Sequence, residues 1–231
     1  MSNNRYFWAR YARAYDKVIG NYSAHKALVD LHFEALKKCR TVLDSGCGPG
    51  HLVKKLIEQP RRVYAVDMNP KALKILNERC GYNPDVIIEC IDANNLPYKE
   101  QFFDGISSML VLWAVKDPEK YLVEHFRVLK PGGILVLSGP GAETRDSVDL
   151  QLKTLRQDLE NQGLFPEIQR SWDDFLKYTD QNISNTAENW YTRDEISELL
   201  EKTGFIIISI NSNPVYCNQG HVIIAKKAAT G

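Results

Sequence analysis

The sequence predicts a doubly wound α/β fold, and two observations carry that prediction. Short apolar runs alternate with longer helical stretches between Thr41 and Ser138, an order typical of a parallel sheet with helices on both faces. The runs are continuously apolar and do not alternate with polar residues, which is the pattern of strands covered on both sides. With 231 residues, 44% of them hydrophobic and 25% charged, the chain is long enough for one sizeable core.

The predicted strands of this region are Thr41–Ser45, Val63–Asp67, Val86–Cys90, Gly105–Met109 and Ile134–Ser138. Helix signals lie between them. Asn69-Pro70 and Asp117-Pro118 each combine a capping side chain with a proline in the first helical turn. Gly81 ends the first of these helices. The segment 130–133 (Lys-Pro-Gly-Gly) ends the second helix and turns the chain into the fifth strand.

Further helices are predicted before and after this core. Residues 6–36 form one or two helices, with an apolar face at three- and four-residue spacing made by Phe7, Tyr11, Tyr15 and Val18. Residues 142–187 contain two helical stretches, Ser147–Gln162 and Trp172–Thr179, separated by residues 163–166. This insertion is too short for a core of its own, so we expect it to form a helical cap on the sheet.

The end of the chain completes the predicted sheet. Thr192–Glu195 is a capping box that opens a helix ending at Gly204. Two strand-like runs, Phe205–Ile210 and His221–Lys226, then form a hairpin-like pair, which adds an antiparallel strand. We expect one domain over residues 1–231, divided into N-terminal helices (1–38), an α/β core (39–141 and 188–227) and the helical cap (142–187).

Charge and cysteine content exclude several classes of function. Lysine plus arginine equal aspartate plus glutamate at 29 each, so the chain lacks the basic surface that dominant binding to nucleic acid or anionic membranes needs. The 5 cysteines show no spacing for a zinc site and are expected to be reduced thiols, so no metal is predicted. No apolar run approaches the roughly 20 residues of a membrane span, and we expect a cytoplasmic protein.

A glycine loop follows the first predicted strand. Residues 43–50 read Leu-Asp-Ser-Gly-Cys-Gly-Pro-Gly, and glycines permit close backbone approach and positive φ. Free amides at the start of the next helix would favour an anionic group. Dinucleotides and S-adenosylmethionine both bind at such corners. Because the dinucleotide pattern Gly-x-Gly-x-x-Gly requires a small residue at His51, the loop fits S-adenosylmethionine better.

Two acidic residues at the ends of the next strands agree with a nucleoside site. Asp67 lies about 20 residues after the loop, where a carboxylate accepts hydrogen bonds from ribose hydroxyls. Asp92 follows the third strand and would accept from the adenine amine, with the Ala93 amide near a ring nitrogen and Met68 against the ring. Each acid alone also fits an ordinary turn. Their order at successive strand ends favours one shared site.

At these motifs the chain resembles the class I S-adenosylmethionine-dependent methyltransferases, small-molecule branch, which includes the ubiquinone and menaquinone biosynthesis enzymes. The segments that carry the resemblance are Val42–Gly50, Val63–Pro70, Glu89–Pro97, Phe103–Asp117 and Phe126–Ser138. It implies a Rossmann-like sheet of seven strands in the order 3-2-1-4-5-7-6 with the seventh antiparallel. It also implies S-adenosylmethionine as cofactor, S-adenosylhomocysteine as product, and in-line methyl transfer to an oxygen or nitrogen of a small molecule, not a nucleic acid.

The resemblance also implies roles for individual residues. Asp44 would lie near the cofactor ammonium, and Asp67 would hold the ribose. Gly46 and Gly48 of the loop would face the methionyl part, and Met109 at the end of the fourth strand would flank the mouth of the site. Met68, Asp92 and Ala93 would enclose the adenine. The cofactor-binding set is Asp44, Gly46, Cys47, Gly48, Asp67, Met68, Asp92, Ala93 and Met109, with Ser108 and Leu110 beside it. Within the loop, Cys47 is expected to pack as a small residue.

Catalysis would depend mainly on alignment, because the methyl group of a sulfonium is already electrophilic. Tyr15 resembles the N-terminal tyrosine that lines the methyl-transfer pocket of relatives. Aromatic faces stabilise a sulfonium, and the candidates are Tyr6, Tyr11, Tyr15, Tyr22 and Trp113, with Tyr11, Trp113 and Trp172 also proposed for the acceptor pocket under the cap. Many relatives carry a histidine where this chain has Trp113-Ala114, and the sequence names no general base in its place.

Two other functions stay open at this stage, besides methyl transfer to a macromolecule, which the neutral charge of the chain disfavours for nucleic acid. One is a non-catalytic partner protein that binds S-adenosylmethionine, since binding and turnover are separable. The other is an NAD(P)-dependent oxidoreductase. His51 in the third fingerprint position and the antiparallel last strand count against the oxidoreductase.

Overall fold

The computed structural model describes residues 2–186 and 190–229, with side chains from residue 11 onward except at 178 and 180–186. The expectations for the side chains of Tyr6 and Phe7 therefore lie outside the described residues. The helices are α1 (Ser2–Ile19), α2 (Ser23–Leu36), α3 (His51–Leu56), α4 (Pro70–Cys80), α5 (Pro118–Val128), α6 (Val148–Asn161), α7 (Phe165–Thr186) and α8 (Arg193–Thr203). The strands are β1 (Thr41–Ser45), β2 (Arg62–Val66), β3 (Val86–Glu89), β4 (Phe103–Met109), β5 (Leu129–Gly139), β6 (Phe205–Asn211) and β7 (His221–Lys227).

One mixed sheet organises the chain, in the order β3-β2-β1-β4-β5-β7-β6. Strands β1 to β5 run parallel, whereas β7 is antiparallel to both β5 and β6. This confirms the predicted fold class and strand order. The connections after β1 and β4 leave the sheet in opposite directions, so the crevice between their carboxyl ends is a topological switch point, where doubly wound sheets bind ligands.

Local capping chemistry explains why these helices start where the sequence predicts. The Asn69 side chain accepts hydrogen bonds from the backbone of the first turn of α4, and Asp117 does the same for α5. Thr192 and Glu195 form the reciprocal bonds of a capping box at α8. Gly204, at φ 102°, ends α8 in the left-handed conformation.

Two predicted boundaries are wrong. Strand β5 begins at Leu129, which pairs with Phe103, and the next pair is Gly105 with Ile134. Residues 130–133 are therefore a bulge within the strand and not a separate turn. Helix α7 begins at Phe165 and continues to Thr186, well beyond the predicted Trp172–Thr179. Pro166 does not interrupt it, because the first helical turn needs no internal amide hydrogen bond.

Both faces of the sheet are covered. Val42 packs with α2 and α3 on one face, while its neighbour Leu43 packs with α5 and α8 on the other, as alternating strand residues must. The first cluster continues into the insertion, where Leu159 of α6 and Trp172 of α7 are buried with Tyr11 of α1. In the described parts of the chain, no helix is long and apolar enough to cross a membrane.

Candidate functional site

The glycine loop follows β1, and its glycines differ in what surrounds them. Gly46, Gly48 and Gly50 all have positive φ, at 74°, 51° and 83°. A Cβ on Gly46 would overlap the side chain of Val111, and one on Gly50 would overlap Leu76. No described atom lies within 4 Å of the position that a Cβ on Gly48 would take. Two of the glycines therefore serve packing, and Gly48 faces open space.

The backbone amides of the loop are paired within the chain. Gly46 and Cys47 both donate to the carbonyl of Val66, at 2.8 and 3.0 Å, and Gly50 donates to the Cys47 carbonyl. The Gly48 amide donates to Oδ2 of Asp67 at 2.8 Å. The free amides expected at the start of the next helix belong to α3, which begins at His51, and these loop bonds do not involve them.

Asp44, on β1, is a buried carboxyl with an unsatisfied oxygen. Its side chain is 2% exposed, and Oδ2 has no hydrogen-bond partner among the described residues. Burial raises the pKa of Asp44 to about 7; a hydrogen bond from Ser107 lowers it, and the nearby charge of Asp67 raises it further. A buried acceptor without a donor costs about 1–3 kcal/mol, a cost that a bound ammonium or its water would remove.

Asp67, immediately after β2, holds two parts of the site together. Oδ2 accepts from the Gly48 amide and Oδ1 accepts from the Asn69 amide, each at 2.8 Å. Burial raises the pKa of Asp67, and the amides of Asn69, Gly48 and Met68 oppose that shift. A carboxylate offers about four acceptor sites, so capacity remains for a ligand's hydroxyls. Sequence reasoning found the residue but not its bond to the loop.

The next strand ends lie beside Asp67. Met68 is 57% exposed although it is a large apolar side chain. Asp92 is exposed and accepts from the backbone and side chain of Asn94, at 2.9 and 3.0 Å. Ala93 is half-buried against the second core cluster. These contacts fit the turn interpretation of Asp92 and leave the Met68 side chain open toward solvent.

At the tip of β4 the chain turns sharply back over the loop. Leu110 follows Met109 and has a φ of 60°, a left-handed conformation that costs a non-glycine residue about 1–2 kcal/mol. The next residue, Val111, closes on Gly46. Trp113 donates from Nε1 to the Leu110 carbonyl at 2.9 Å, which stabilises this turn.

The aromatic residues predicted for the acceptor site, Tyr11, Tyr15, Trp113 and Trp172, lie in two separate groups. Tyr15 contacts Tyr11 with ring centroids 5.4 Å apart, Tyr11 stacks on Phe175 at 5.7 Å, and Phe175 contacts Trp172. Trp113 instead meets Trp190 edge to face at 6.5 Å. Among the described residues, no ring contact joins Trp113 to the Tyr15 group. The predicted pocket residues Tyr11 and Trp172 therefore come together, and Trp113 lies in the other group.

Sequence reasoning missed the buried polar networks beneath the strand tips. Tyr121 Oη lies 3.0 Å from Oγ of Ser45 and 2.9 Å from Oγ of Ser108, which links the ends of β1 and β4. His32 likewise bridges Ser107 and Ser138, at 3.0 and 2.9 Å. Burial lowers the pKa of His32 to about 3, so its ring is neutral. The available signal was the row of serines at the ends of otherwise apolar strands.

The segment that contains this site is similar to a known protein family. A family model described as a methyltransferase domain matches residues 43–137, the segment from β1 to β5 that contains the glycine loop, Asp67 and Asp92. This match supports the resemblance of residues 43–137 to the class I S-adenosylmethionine-dependent methyltransferases. The strand order of the whole sheet is the one that this resemblance implied.

The curated relatives are similar to this chain over only part of their own length. Over 116 residues the chain is 33% identical to the biotin biosynthesis bifunctional protein BioHC of Teredinibacter turnerae, a match that covers 46% of this chain and 20% of that protein. Over 165 residues it is 27% identical to the demethylmenaquinone methyltransferase of Tropheryma whipplei, covering 71% and 65%. The chain thus spans less than two thirds of either relative.

Among solved structures, the chain is similar to the N-methyltransferase NodS of Bradyrhizobium japonicum in complex with S-adenosyl-L-homocysteine. The TM-score is 0.66 at 13% identity, and the match covers 95% of this chain and 98% of that one. Identity this low shows a common fold only.

S-adenosylmethionine is the cofactor of the class I methyltransferases that the chain resembles, and the residues of the chain fit it. The unsatisfied Oδ2 of Asp44 complements an ammonium. The open side of Gly48 leaves room for an extended ligand along the loop. Asp67 retains acceptor capacity for ribose hydroxyls, and the exposed Met68 offers an apolar surface for a base.

Proposed function

We propose that this chain transfers the methyl group of S-adenosylmethionine to an oxygen or nitrogen of a small molecule by in-line displacement. The observation that carries the proposal is the pairing of two features at the end of β1. One is the buried, unsatisfied carboxyl oxygen of Asp44, and the other is the open side of Gly48. Together they provide a counter-charge and a space of the kind that the amino-acid end of the methyl donor requires.

The other parts of the donor are assigned to the neighbouring strand ends. Asp67 would accept from the ribose, and Met68 with Asp92 and Ala93 would enclose the adenine. Gly46, Cys47, Gly48 and Met109 would line the methionyl chain. Burial raises the pKa of Cys47 well above its ordinary value, with the charges of Asp67 and Asp44 adding to the effect. A protonated thiol is a poor nucleophile, which favours direct transfer over a cysteine intermediate.

The bound donor supplies an activated methyl group, and the chain's own residues would align the acceptor and exclude water. We assign this role to Tyr15, and its contacts with Tyr11 and with the first helical residue after the loop, His51, support the assignment. Burial raises the pKa of Tyr15, so its hydroxyl stays protonated. Aromatic faces near a sulfonium contribute about 0.5–2 kcal/mol each, and holding the reactants in line contributes more.

The acceptor proposed here is a small molecule with an apolar, planar portion. Two observations support it: the zero net charge of the chain, and the aromatic contacts by which α7 packs on α1 through Phe175 and Tyr11. We further propose that residues 142–187, which include α6 and α7, cover the acceptor site as one part of a single domain. A relative that is named as an N-methyltransferase, NodS, is consistent with a heteroatom acceptor.

Calorimetric titration with S-adenosylhomocysteine and, separately, with NADH tests the donor assignment. We expect saturable binding of S-adenosylhomocysteine and none of NADH; binding of the dinucleotide alone would overturn the proposal. Formation of S-adenosylhomocysteine from S-adenosylmethionine in a metabolite extract then tests turnover. Donor binding with no product from any fraction would instead support the non-catalytic binding protein.

A further inference from the structure

A buried pair of histidine rings lies beside Tyr15. His25, on α2, is 1% exposed, and its Nε2 has no hydrogen-bond partner within the described part of the chain. Its ring meets the ring of His51 edge to face at 4.9 Å, and both rings contact Tyr15, at 6.3 and 6.5 Å. An unpaired buried nitrogen costs about 1–3 kcal/mol. A ligand oxygen that accepts a hydrogen bond from this nitrogen would remove that cost.

The second ring of the pair, His51, is held by a carboxylate. Its Nε2 lies 2.9 Å from Oδ1 of Asp16 on α1. Because an ionised carboxylate only accepts, Asp16 selects the tautomer with the proton on Nε2 and leaves the lone pair on Nδ1. No hydrogen bond from the residues described here reaches Nδ1. This is the arrangement of a carboxylate-oriented imidazole base.

Asp16 is itself fixed by Arg79 of α4. The guanidinium lies 2.5 Å from Oδ1 of Asp16, and its other nitrogen donates to the carbonyl of Pro49 in the glycine loop. The network therefore ties α1 to the loop that lines the proposed donor site. It also places His51, the residue that follows the loop, in a fixed orientation.

Burial, together with the charge of Arg79, favours the neutral form of His51. The titratable groups that face it are Asp16 and Tyr15 from α1, His25 from α2 and Arg79 from α4. Burial lowers the pKa of His51; the hydrogen bond to Asp16 opposes that shift and the positive charge of Arg79 adds to it. Burial likewise lowers the pKa of His25 to about 3, with the charge of His51 adding to the effect. Both rings are therefore unprotonated near neutral pH, as a general base must be.

We propose that the acceptor's hydroxyl oxygen accepts a hydrogen bond from Nε2–H of His25 and that His51 takes the hydroxyl proton during methyl transfer. This inference rests on the proposed function and narrows it. The acceptor oxygen forms the new bond to the methyl carbon, and the electron pair of the broken carbon–sulfur bond stays on the donor's sulfur. The acceptor's proton passes to Nδ1 of His51, and the resulting imidazolium is stabilised by Asp16. His51 is thus a catalytic residue and Asp16 a positioning residue.

The strength of this base selects the class of acceptor. An imidazole with a pKa below its ordinary value of about 6.5 can deprotonate a phenol, whose pKa is about 10, in concert with transfer. A phenol is a far stronger acid than an alkyl alcohol and is therefore the acceptor best matched to a weak base, whereas a neutral amine attacks through its own lone pair without a base. The stacked rings of Tyr11 and Phe175, next to Tyr15, also suit a planar molecule. The acceptor is therefore a phenol or an enol.

The first test measures His51 directly, without any acceptor. Protein labelled with ¹⁵N-histidine is saturated with S-adenosylhomocysteine and titrated by NMR, with His51→Gln used for assignment. We expect an Nε2–H tautomer that titrates below 6.5. Asp16→Asn should lower that pKa further, because it removes the group that raises it. A His51 ring that is charged, or protonated on Nδ1, at pH 7.5 overturns the proposal.

The second test measures turnover with catechol and 4-hydroxybenzoate as phenolic probes and aniline as an amine. His51→Gln should lower kcat for the phenol about 10²- to 10⁴-fold while the Kd for S-adenosylhomocysteine stays unchanged, and added imidazole should restore part of the rate to His51→Ala. His221→Asn, at a buried histidine on β7, is the matched control and should keep its rate. An unchanged rate in His51→Gln, or turnover of aniline alone, contradicts the inference. Loss of S-adenosylhomocysteine binding in the wild type would instead remove the proposed function itself.

Discussion

Oδ2 of Asp67 accepts a hydrogen bond from the Gly48 amide at 2.8 Å, so the residue that follows β2 also holds the loop that follows β1. Its other oxygen caps the turn at Asn69. The carboxylate most directly assigned to the ribose is therefore also a structural part of the glycine loop. Ligand binding and loop geometry are coupled through this one side chain.

Asp67→Ala should weaken S-adenosylhomocysteine binding by about 1.5–3 kcal/mol, or roughly 10- to 150-fold, because charge-assisted hydrogen bonds to the ligand are lost and the loop is released. Titration calorimetry measures the change. Asp85→Ala removes an exposed carboxylate in the turn before β3 and should leave affinity unaltered. Equal affinities for both variants would remove Asp67 from the site.

Gly48→Ala should abolish donor binding while the chain still folds. The only structural cost is the positive φ, about 1–2 kcal/mol, since no described atom occupies the space beside Gly48. Gly132, in the β5 bulge, has a φ of 76° and equally open surroundings, so Gly132→Ala is a matched control. We expect similar thermal stabilities and opposite binding results. If Gly48→Ala binds S-adenosylhomocysteine normally, the methyl donor does not lie against this loop.

Asp44→Asn should make the ligand-free protein more stable at alkaline pH. Burial raises the pKa of Asp44 to about 7, so the folded chain retains a proton that the unfolded chain loses near pH 4. The free energy of unfolding of the wild type therefore falls between about pH 4 and 7, by on the order of 1–4 kcal/mol. Urea unfolding at pH 4.5 and 8 should show the variant gaining stability relative to wild type. S-adenosylhomocysteine should nevertheless bind the variant more weakly; a constant stability difference would argue against a strongly raised pKa.

The buried histidines should make the protein sensitive to acid. Burial lowers the pKa of His32 to about 3 and those of His125 and His221 to about 4. The unfolded chain binds protons below about pH 6.5 that the folded chain does not, so stability is lost as pH falls from 7.5 to 5.5, by on the order of 1 kcal/mol per histidine. His221→Asn should flatten the pH dependence of urea unfolding by one such contribution. A pH dependence in His221→Asn identical to that of the wild type would contradict this, and the comparison of the two leaves the opposite contribution of Asp44 unchanged.

Tyr15→Phe should slow product formation without changing the affinity for S-adenosylhomocysteine, because its protonated hydroxyl is proposed to act on the acceptor side. Tyr64→Phe, on β2 and within a different aromatic cluster, should retain the wild-type rate. The two variants are compared by S-adenosylhomocysteine release with an acceptor-containing extract fraction. An unaltered rate in Tyr15→Phe would return this residue to a packing role.

The elements that depend on local sequence were predictable. Thr192 and Glu195 cap α8 because both partners lie within one turn, and β1 has the predicted ends Thr41 and Ser45. Features that depend on distant residues were not predictable. The Cys47 amide donates to Val66, and His32 bridges serines on two strands, across sequence separations that no local pattern encodes. Leu129 joins β5 early because Phe103 offers it a partner, although the glycines after it predict a turn.

Because the amides of Gly46, Cys47 and Gly48 are already paired, they offer no hydrogen-bond donors to a diphosphate placed at this corner. We therefore expect ATP and the pyridine coenzymes to bind here poorly, and a ligand with a cationic end to complement the carboxyl of Asp44. The internal hydrogen bonds of the loop would then set its preference among nucleotides.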